Sequence, residues 1–174
     1  ETVVIEADYT KGSDPAITIT LKDTTGLDVI DDFESYASSD DINANWSKNN
    51  NGSHVEGALV TDKTSSQAME YKYTLGDYCG LTKSLGSVDA SSFEGIEFWY
   101  QPDGSGNKLT IQVADASGNL WEYYITMSGS EAQKVQIPYS DFTVKSGYGD
   151  ENATMGASKF KEFSIYVDKA SEVL

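Results

Sequence analysis

The chain has 174 residues, 39% of them hydrophobic, so it can bury one substantial core and is interpreted as a single domain over residues 1–174. Its 12 Lys and Arg residues against 28 Asp and Glu residues give a formal net charge of -16, which disfavours nucleic acid and anionic membrane surfaces as partners. The single Cys79 and the single His54 exclude an internal disulfide, a cysteine-based zinc cluster and a site built from several histidines. No apolar run reaches the length of a membrane span.

Short β-rich runs, separated by turn residues, follow one another along the chain. In chain order they cover residues 2–7, 16–21, 29–33, 68–75, 96–101, 108–113, 120–126, 134–137 and 160–167. Such spacing is typical of a β-sandwich or barrel. Very little helix is expected, apart from a short capped turn over residues 39–46. Residues 1–26 are interpreted as N-terminal extension strands that precede a core over residues 28–168.

Four polar segments between these runs are predicted to be turns or loops. Residues 102–107 and 115–119 each join two alternating runs with Gly, Asn and Asp, which tolerate positive φ, and both are predicted to be hairpin loops. Residues 47–52 and 145–158 lack apolar alternation and are predicted to be surface loops. Loops of this length often carry function in sandwiches.

Alternation along the strands predicts which side chains point away from the core. The outward positions include Trp99 and Gln101 on one run and Gln112, Ser164 and Tyr166 on two others. If these three strands are neighbours, they present one mixed aromatic and polar face. That chemistry suits a sugar site, because rings stack on the apolar faces of pyranoses while amides and hydroxyls bond their hydroxyl groups. It also fits a packed second sheet face, because Tyr and Trp are mostly buried in sandwiches.

Four runs, at residues 29–36, 73–85, 92–104 and 135–142, occur in the order in which similar runs occur in carbohydrate-binding modules of bacterial glycanases. The chain most resembles family 11 and related modules attached to β-mannanases and β-glucanases, over residues 28–168. The resemblance implies an all-β fold: a β-sandwich (jelly roll) of two antiparallel sheets with a concave ligand-binding face. It also implies non-catalytic binding of a single β-1,4-linked plant polysaccharide chain, either β-mannan or glucomannan, or β-glucan or cellulose oligosaccharides.

The resemblance also implies roles for particular residues. Tyr78 matches a tyrosine that lines the groove, Tyr148 matches a second one, and Lys145 stands at a basic contact position. Both tyrosines also lie in Gly-flanked, loop-like contexts, and the family's late polar and aromatic positions fall on Ser164 and Tyr166. The candidate ligand-binding residues are Tyr78, Trp99, Gln101, Gln112, Tyr124, Lys145, Tyr148, Ser164 and Tyr166.

Modules of this kind commonly carry a structural calcium ion, and Asp32 and Glu34 match the acidic residues that bind it. Calcium takes six to eight oxygen ligands, so backbone carbonyls and another carboxylate are needed. The family's final strand with its acidic end is missing after Val167. The run over residues 2–8 is a candidate replacement strand that would supply an acidic ligand.

No catalytic motif is present: there is no nucleophile elbow, histidine metal motif, phosphate-binding glycine loop or cofactor fingerprint. Some pair among 28 carboxylates stands at a glycosidase separation by chance, so their number does not indicate hydrolysis. The expectation is a secreted, monomeric, non-enzymatic module in the same parent chain as a glycoside hydrolase domain, which it brings to its substrate. The alternative is a structural or adhesion β-sandwich that binds calcium and no glycan.

Overall fold

The computed structural model describes residues 19–22, 27–61 and 66–169. The predicted strand over residues 2–7 lies outside these ranges. In chain order the elements are β1 (Ile19–Lys22), β2 (Leu27–Asp31), α1 (Ser39–Asn45), β3 (Trp46–Asn49), β4 (His54–Thr61), β5 (Gln67–Thr74), β6 (Tyr78–Val88), β7 (Gly95–Tyr100), β8 (Lys108–Asp115), β9 (Leu120–Thr126), β10 (Gln133–Pro138), a 3-10 turn (Tyr139–Asp141), β11 (Thr143–Val144) and β12 (Phe160–Asp168).

The strands form antiparallel sheets packed into a sandwich, as predicted. One sheet has six strands in the order β11-β9-β8-β12-β6-β3, and the other has four in the order β10-β7-β1-β2. The hairpin β4–β5 makes a further two-stranded sheet. The predicted helical turn is α1, which begins after Ser38, whose hydroxyl accepts the backbone N–H of Asp41 at 3.2 Å.

The core lies between the two larger sheets and follows the predicted alternation. On β7, β8 and β12 every second side chain is at most 4% exposed: Ile96, Phe98, Tyr100, Leu109, Ile111, Val113, Phe163, Ile165 and Val167. Burial of such side chains is the main force that holds the sheets together. Because successive side chains of a strand point to opposite faces, the intervening residues of β8 and β12 point to the other face of the six-stranded sheet, where Thr110 and Ser164 are also buried.

Several local predictions need correction. Residues 102–107 are not a hairpin loop, because they join β7 and β8, which belong to different sheets. Residues 115–119 do form the predicted hairpin between β8 and β9. The predicted loop at residues 47–52 begins inside β3, an edge strand whose polar residues are exposed. The predicted surface loop over residues 145–158 contains neither helix nor strand.

A buried carboxylate, Asp31, joins the end of β2 to the six-stranded sheet. Its Oδ2 accepts hydrogen bonds from Tyr36 Oη at 2.6 Å and Trp46 Nε1 at 2.8 Å, and pairs with Lys83 Nζ at 2.9 Å. Its Oδ1 accepts the backbone N–H of Phe33 at 3.0 Å. A buried charge is costly unless it is paired and hydrogen-bonded, and both oxygens of Asp31 meet that condition.

The same network holds an unusual backbone conformation at the turn after β2. Phe33 has φ of 59°, the left-handed region that non-glycine residues rarely adopt. Its side chain is fully buried and stacks on Trp46 with 6.1 Å between the ring centroids. Such a conformation costs on the order of 1–3 kcal/mol, which the bonds to Asp31 and the ring packing offset.

We expect Asp31→Asn to lower the free energy of unfolding by about 3 kcal/mol in urea at pH 7, because Lys83 loses the carboxylate that neutralises it. The control is Glu70→Gln, which breaks the Lys72–Glu70 pair, in which both side chains are about half exposed. That change should cost less than about 1 kcal/mol. Equal losses for the two variants would show that the Asp31 network does not stabilise the fold.

Candidate functional site

A groove with a volume of about 530 Å³ crosses the outer face of the six-stranded sheet. Its floor comes from the outward residues of β8, β9, β12 and β6, which the antiparallel register aligns in rows. One row runs from Tyr124 through Thr110 and Tyr166 to Gly80. The neighbouring row runs from Glu122 through Gln112 and Ser164 to Thr82. The groove therefore follows directly from the alternation that builds the core.

Six of the predicted ligand-binding residues line this groove: Tyr78, Gln112, Tyr124, Lys145, Tyr148 and Tyr166. Tyr78 is the first residue of β6 and not a loop residue. Ser164 lies on the same face but is only 3% exposed, and its hydroxyl is hydrogen-bonded to that of Thr82 at 2.8 Å. The structure thus places Ser164 beneath the groove.

Trp99 and Gln101 do not join this set. Trp99 lies on β7, in the four-stranded sheet, so the prediction that its strand neighbours β8 and β12 is wrong. Gln101 lines a separate cavity of about 230 Å³, together with residues of β5 and β8. The alternation placed Gln112, Ser164 and Tyr166 correctly on the face opposite the core. Gln101 instead lies beyond the end of β7 and lines a cavity with the core-facing residues Leu109 and Ile165. Alternation also carries no information about which sheet a strand joins.

Two exposed tyrosines stand at one side of the groove, each with a lysine over its ring. Tyr124 is 49% exposed, and the Nζ of Lys108 lies 4.6 Å from its ring centroid. Tyr148 is 54% exposed, and the Nζ of Lys145 lies 5.6 Å from its ring centroid. Cation–π attraction favours these ring positions. About half of each tyrosine is exposed, so part of its surface is open to a ligand.

Glu122, which the sequence analysis did not single out, connects the groove residues. Its Oε1 accepts hydrogen bonds from Gln112 Nε2 at 2.7 Å and Lys145 Nζ at 2.9 Å, and its Oε2 accepts one from Tyr124 Oη at 2.5 Å. Glu122 alternates with the buried Trp121, and that signal would have placed it on the groove face. Three side chains that reach the groove thus share one carboxylate.

The electrostatics of this cluster keep Glu122 ionised. Burial raises the pKa of the Glu122 carboxyl, but hydrogen bonds from Tyr124, Lys145 and Gln112 outweigh burial and lower that pKa below its ordinary value. Burial, followed by the hydrogen bond to Glu122, raises the pKa of Tyr124 to about 12. At neutral pH the cluster is therefore a carboxylate surrounded by three donors.

A second carboxylate, Asp168, lies at the β12 end of the groove and was also missed. Its Oδ2 accepts a hydrogen bond from Thr110 Oγ1 at 3.0 Å and lies 3.6 Å from Lys108 Nζ. Each groove lysine is thus paired with a groove carboxylate. The arrangement offers oriented donors and acceptors, with little uncompensated charge, beside open aromatic rings.

The predicted calcium ligands Asp32 and Glu34 each accept a hydrogen bond from a backbone N–H. Asp32 Oδ1 accepts the backbone N–H of Glu34 at 3.1 Å, and Glu34 Oε1 accepts that of Gln67 at 2.8 Å. Within residues 19–22, 27–61 and 66–169, no group of three or more His, Cys, Asp or Glu residues is placed to hold a metal. The two carboxylates alone do not fit a calcium ion. The acidic ligand predicted from residues 2–8 lies outside the described residues, so the calcium site stays a prediction.

Neither His54 nor Cys79 lies in the groove. The side chain of His54 is 63% exposed and lies 3.8 Å from Glu56. Cys79 is fully buried, and burial raises the pKa of its thiol, which disfavours the reactive thiolate. In the part of the chain that the structure describes, no helix is long and apolar enough to cross a membrane.

Residues 17–170 match the model of a carbohydrate binding domain (family 11). Over 116 residues the chain is 26% identical to a mannan endo-1,4-beta-mannosidase of Bifidobacterium adolescentis, covering 64% of this chain and 11% of that protein. Among solved structures, an exo-beta-agarase is similar at a TM-score of 0.48 and 14% identity, over 72% of this chain and 21% of the agarase chain. The chain therefore spans only a small part of either relative.

The ionised state of Glu122 predicts how the stability of the fold depends on pH. The pKa of Glu122 is lower in the folded protein than in the unfolded chain, where it is about 4.3. The ionised carboxylate therefore stabilises the fold above that unfolded value, and the stabilisation is lost as pH falls through the lowered folded value. Glu122→Gln should cost about 2 kcal/mol at pH 7, and its difference from the unchanged protein should shrink below about pH 4. The measurement is urea unfolding across this pH range.

The control for that series is Glu131→Gln, at an exposed glutamate between β9 and β10. It should leave the stability difference from the unchanged protein near zero at every pH. A Glu122→Gln deficit that stays constant from neutral to acid pH would contradict the assigned charge.

Proposed function

Because the chain belongs to the carbohydrate binding domain family 11, we propose that its groove holds a single β-1,4-linked plant polysaccharide chain without cleaving it. The observation that carries this proposal is the combination of open tyrosine rings with an ordered hydrogen-bonding cluster along one groove. Tyr124 and Tyr148 offer faces on which pyranose rings stack. The cluster around Glu122 and the pair Thr110–Asp168 offer partners for sugar hydroxyls.

The pairing of charges in the groove favours a neutral glycan. Lys145 is compensated by Glu122 and Lys108 by Asp168, so an anionic ligand would have to displace an existing partner. A neutral hydroxyl can share these groups without breaking the ion pairs. Hydroxyl bonds mostly replace bonds to water, so the affinity should be modest, with dissociation constants of roughly millimolar to micromolar.

The ligand class that we propose is β-mannan or glucomannan, with β-glucan as the competing class. The similarity to a mannan endo-1,4-beta-mannosidase supports mannan. We further propose that the module is secreted and resides in the same parent chain as a glycoside hydrolase domain, which it brings to the polysaccharide. A module with modest affinity raises the local concentration of substrate for a linked enzyme by the ordinary effect of tethering.

The state of the groove carboxylates supports binding over hydrolysis. A glycosidase needs a carboxylic acid with a raised pKa that protonates the leaving oxygen. The pKa of Glu122 is instead lowered by its donors, and Asp168 is held by Thr110 and Lys108. The buried Cys79 offers no nucleophile at the groove.

Affinity gel electrophoresis against glucomannan, galactomannan, barley β-glucan, xylan and hydroxyethylcellulose tests the proposal. We expect retardation by the mannans and no release of reducing sugar from any of the five. Retardation by the glucans alone would assign the competing ligand class. Reducing-sugar release would show an enzyme, and the absence of retardation on every gel would favour a structural sandwich. A parallel series with a calcium chelator tests whether calcium supports binding or stability.

Tyr148→Ala should weaken binding about tenfold, because it removes an exposed ring on which a sugar would stack. The melting temperature should stay nearly constant, since the side chain is 54% exposed. Isothermal titration with the retarding glycan measures the affinity. The matched control is Gln101→Ala, a change outside the groove. If Gln101→Ala weakened binding as much as Tyr148→Ala, the ligand would not be in this groove.

A further inference from the structure

The ring of Tyr166 lies over a residue that has no side chain. Tyr166 on β12 is paired in register with Gly80 on β6. A Cβ built at Gly80 would overlap the Tyr166 ring, with Cγ at 2.9 Å and Cδ1 and Cε1 closer still. Cβ atoms essentially never approach other heavy atoms that closely. The ring therefore occupies the volume that a side chain at position 80 would fill.

The backbone does not explain a glycine at this position. Nine other described glycines have positive φ, where residues with a Cβ are strained, but Gly80 is not among them. A glycine within a strand interior weakens the strand and often marks the close approach of another group. Here that group is the Tyr166 ring. The glycine at position 80 is therefore explained by the packing of the Tyr166 ring and not by the backbone conformation of β6.

The position of the ring decides the shape of the groove. On β12, Tyr166 has Gly80 as its neighbour on one side and Thr110 on the other. The ring lies towards Gly80, and Thr110, although only 3% exposed, is part of the groove lining. Tyr78 stands against the same ring at 6.1 Å between centroids and an angle of 64°. The two rings pack against each other, and both line the groove.

We propose that Gly80 sets the depth of the groove by leaving the space above β6 that the Tyr166 ring occupies, and that it is thereby a positioning residue for the glycan. The inference rests on the proposed function, because depth matters only if a ligand enters. Any side chain at position 80 would push the ring towards β8 and over Thr110. The groove would then be too shallow for a stacked chain to reach its floor.

A double-mutant cycle with Gly80→Ala and Tyr166→Ala tests the binding consequence by isothermal titration. We expect Gly80→Ala to weaken binding about tenfold in the unchanged background and by less than about twofold when Tyr166 is already Ala. The matched control is Ser84→Ala, an exposed position on β6 that does not line the groove. Unchanged affinity in Gly80→Ala, or full additivity of the two changes, would overturn the proposal.

An NMR measurement without glycan tests the ring position separately. The Hα resonances of Gly80 should carry a ring-current shift from Tyr166, and Tyr166→Leu should remove that shift while it keeps apolar bulk at the site. Unshifted resonances in the unchanged protein would overturn the proposal, even if Gly80→Ala does not fold. If the ring shift is present but the unchanged protein binds none of the five polysaccharides, the proposed function fails while the ring placement stands.

Discussion

The two-residue alternation of β12, the strand between β8 and β6, is the constraint on which both core and groove depend. Phe163, Ile165 and Val167 point into the sandwich, and Ser164, Tyr166 and Asp168 point the other way. The strand is paired along its length on both sides, so its register cannot shift alone. A slip by one residue would place Asp168 in the core and Val167 in the groove. Core packing therefore determines which side chains of β12 face the groove, independently of the contacts that those side chains make.

The polar chemistry of the groove depends on burial of the same strands. Glu122 and Gln112 lie in neighbouring positions on β9 and β8, both at low exposure. A carboxylate at low exposure must find donors, and it finds them in Gln112, Lys145 and Tyr124. The hydrogen bond to Glu122 fixes the position of each donor side chain, so the groove surface is ordered without a ligand. Under the proposed function, this order lowers the entropy cost of binding a flexible glycan.

Much of this could be predicted from the sequence, and what was missed has physical causes. Tyr78, Gln112, Tyr124, Lys145, Tyr148 and Tyr166 were found by alternation and resemblance and do meet in one groove. Trp99 was misplaced because the segment after β7 crosses to the other sheet, and local pattern does not record such a crossing. No predicted strand run overlaps β6, because its glycines and polar residues have low strand propensity, and its pairing with β12 and β3 overrides that preference. Glu122 was overlooked because nothing in the sequence distinguishes it from the other carboxylates. Its role is visible only once the fold places its three donors around it.

The fold separates the interactions that stabilise it from those that present the ligand surface. The Asp31 network, with Trp46 and Lys83, lies where β2 meets the six-stranded sheet, and its members are absent from the groove lining. The rings of Tyr124 and Tyr148 contribute exposed surface to the groove and little to the core. If sugars stack in the groove as proposed, changes at these two positions alter which sugars bind at small cost in stability. Tyr166 and Glu122 are the exceptions. The Tyr166 ring packs over Gly80, and Glu122 is buried among donors that reach the groove, so a change at either residue alters the groove and the stability together.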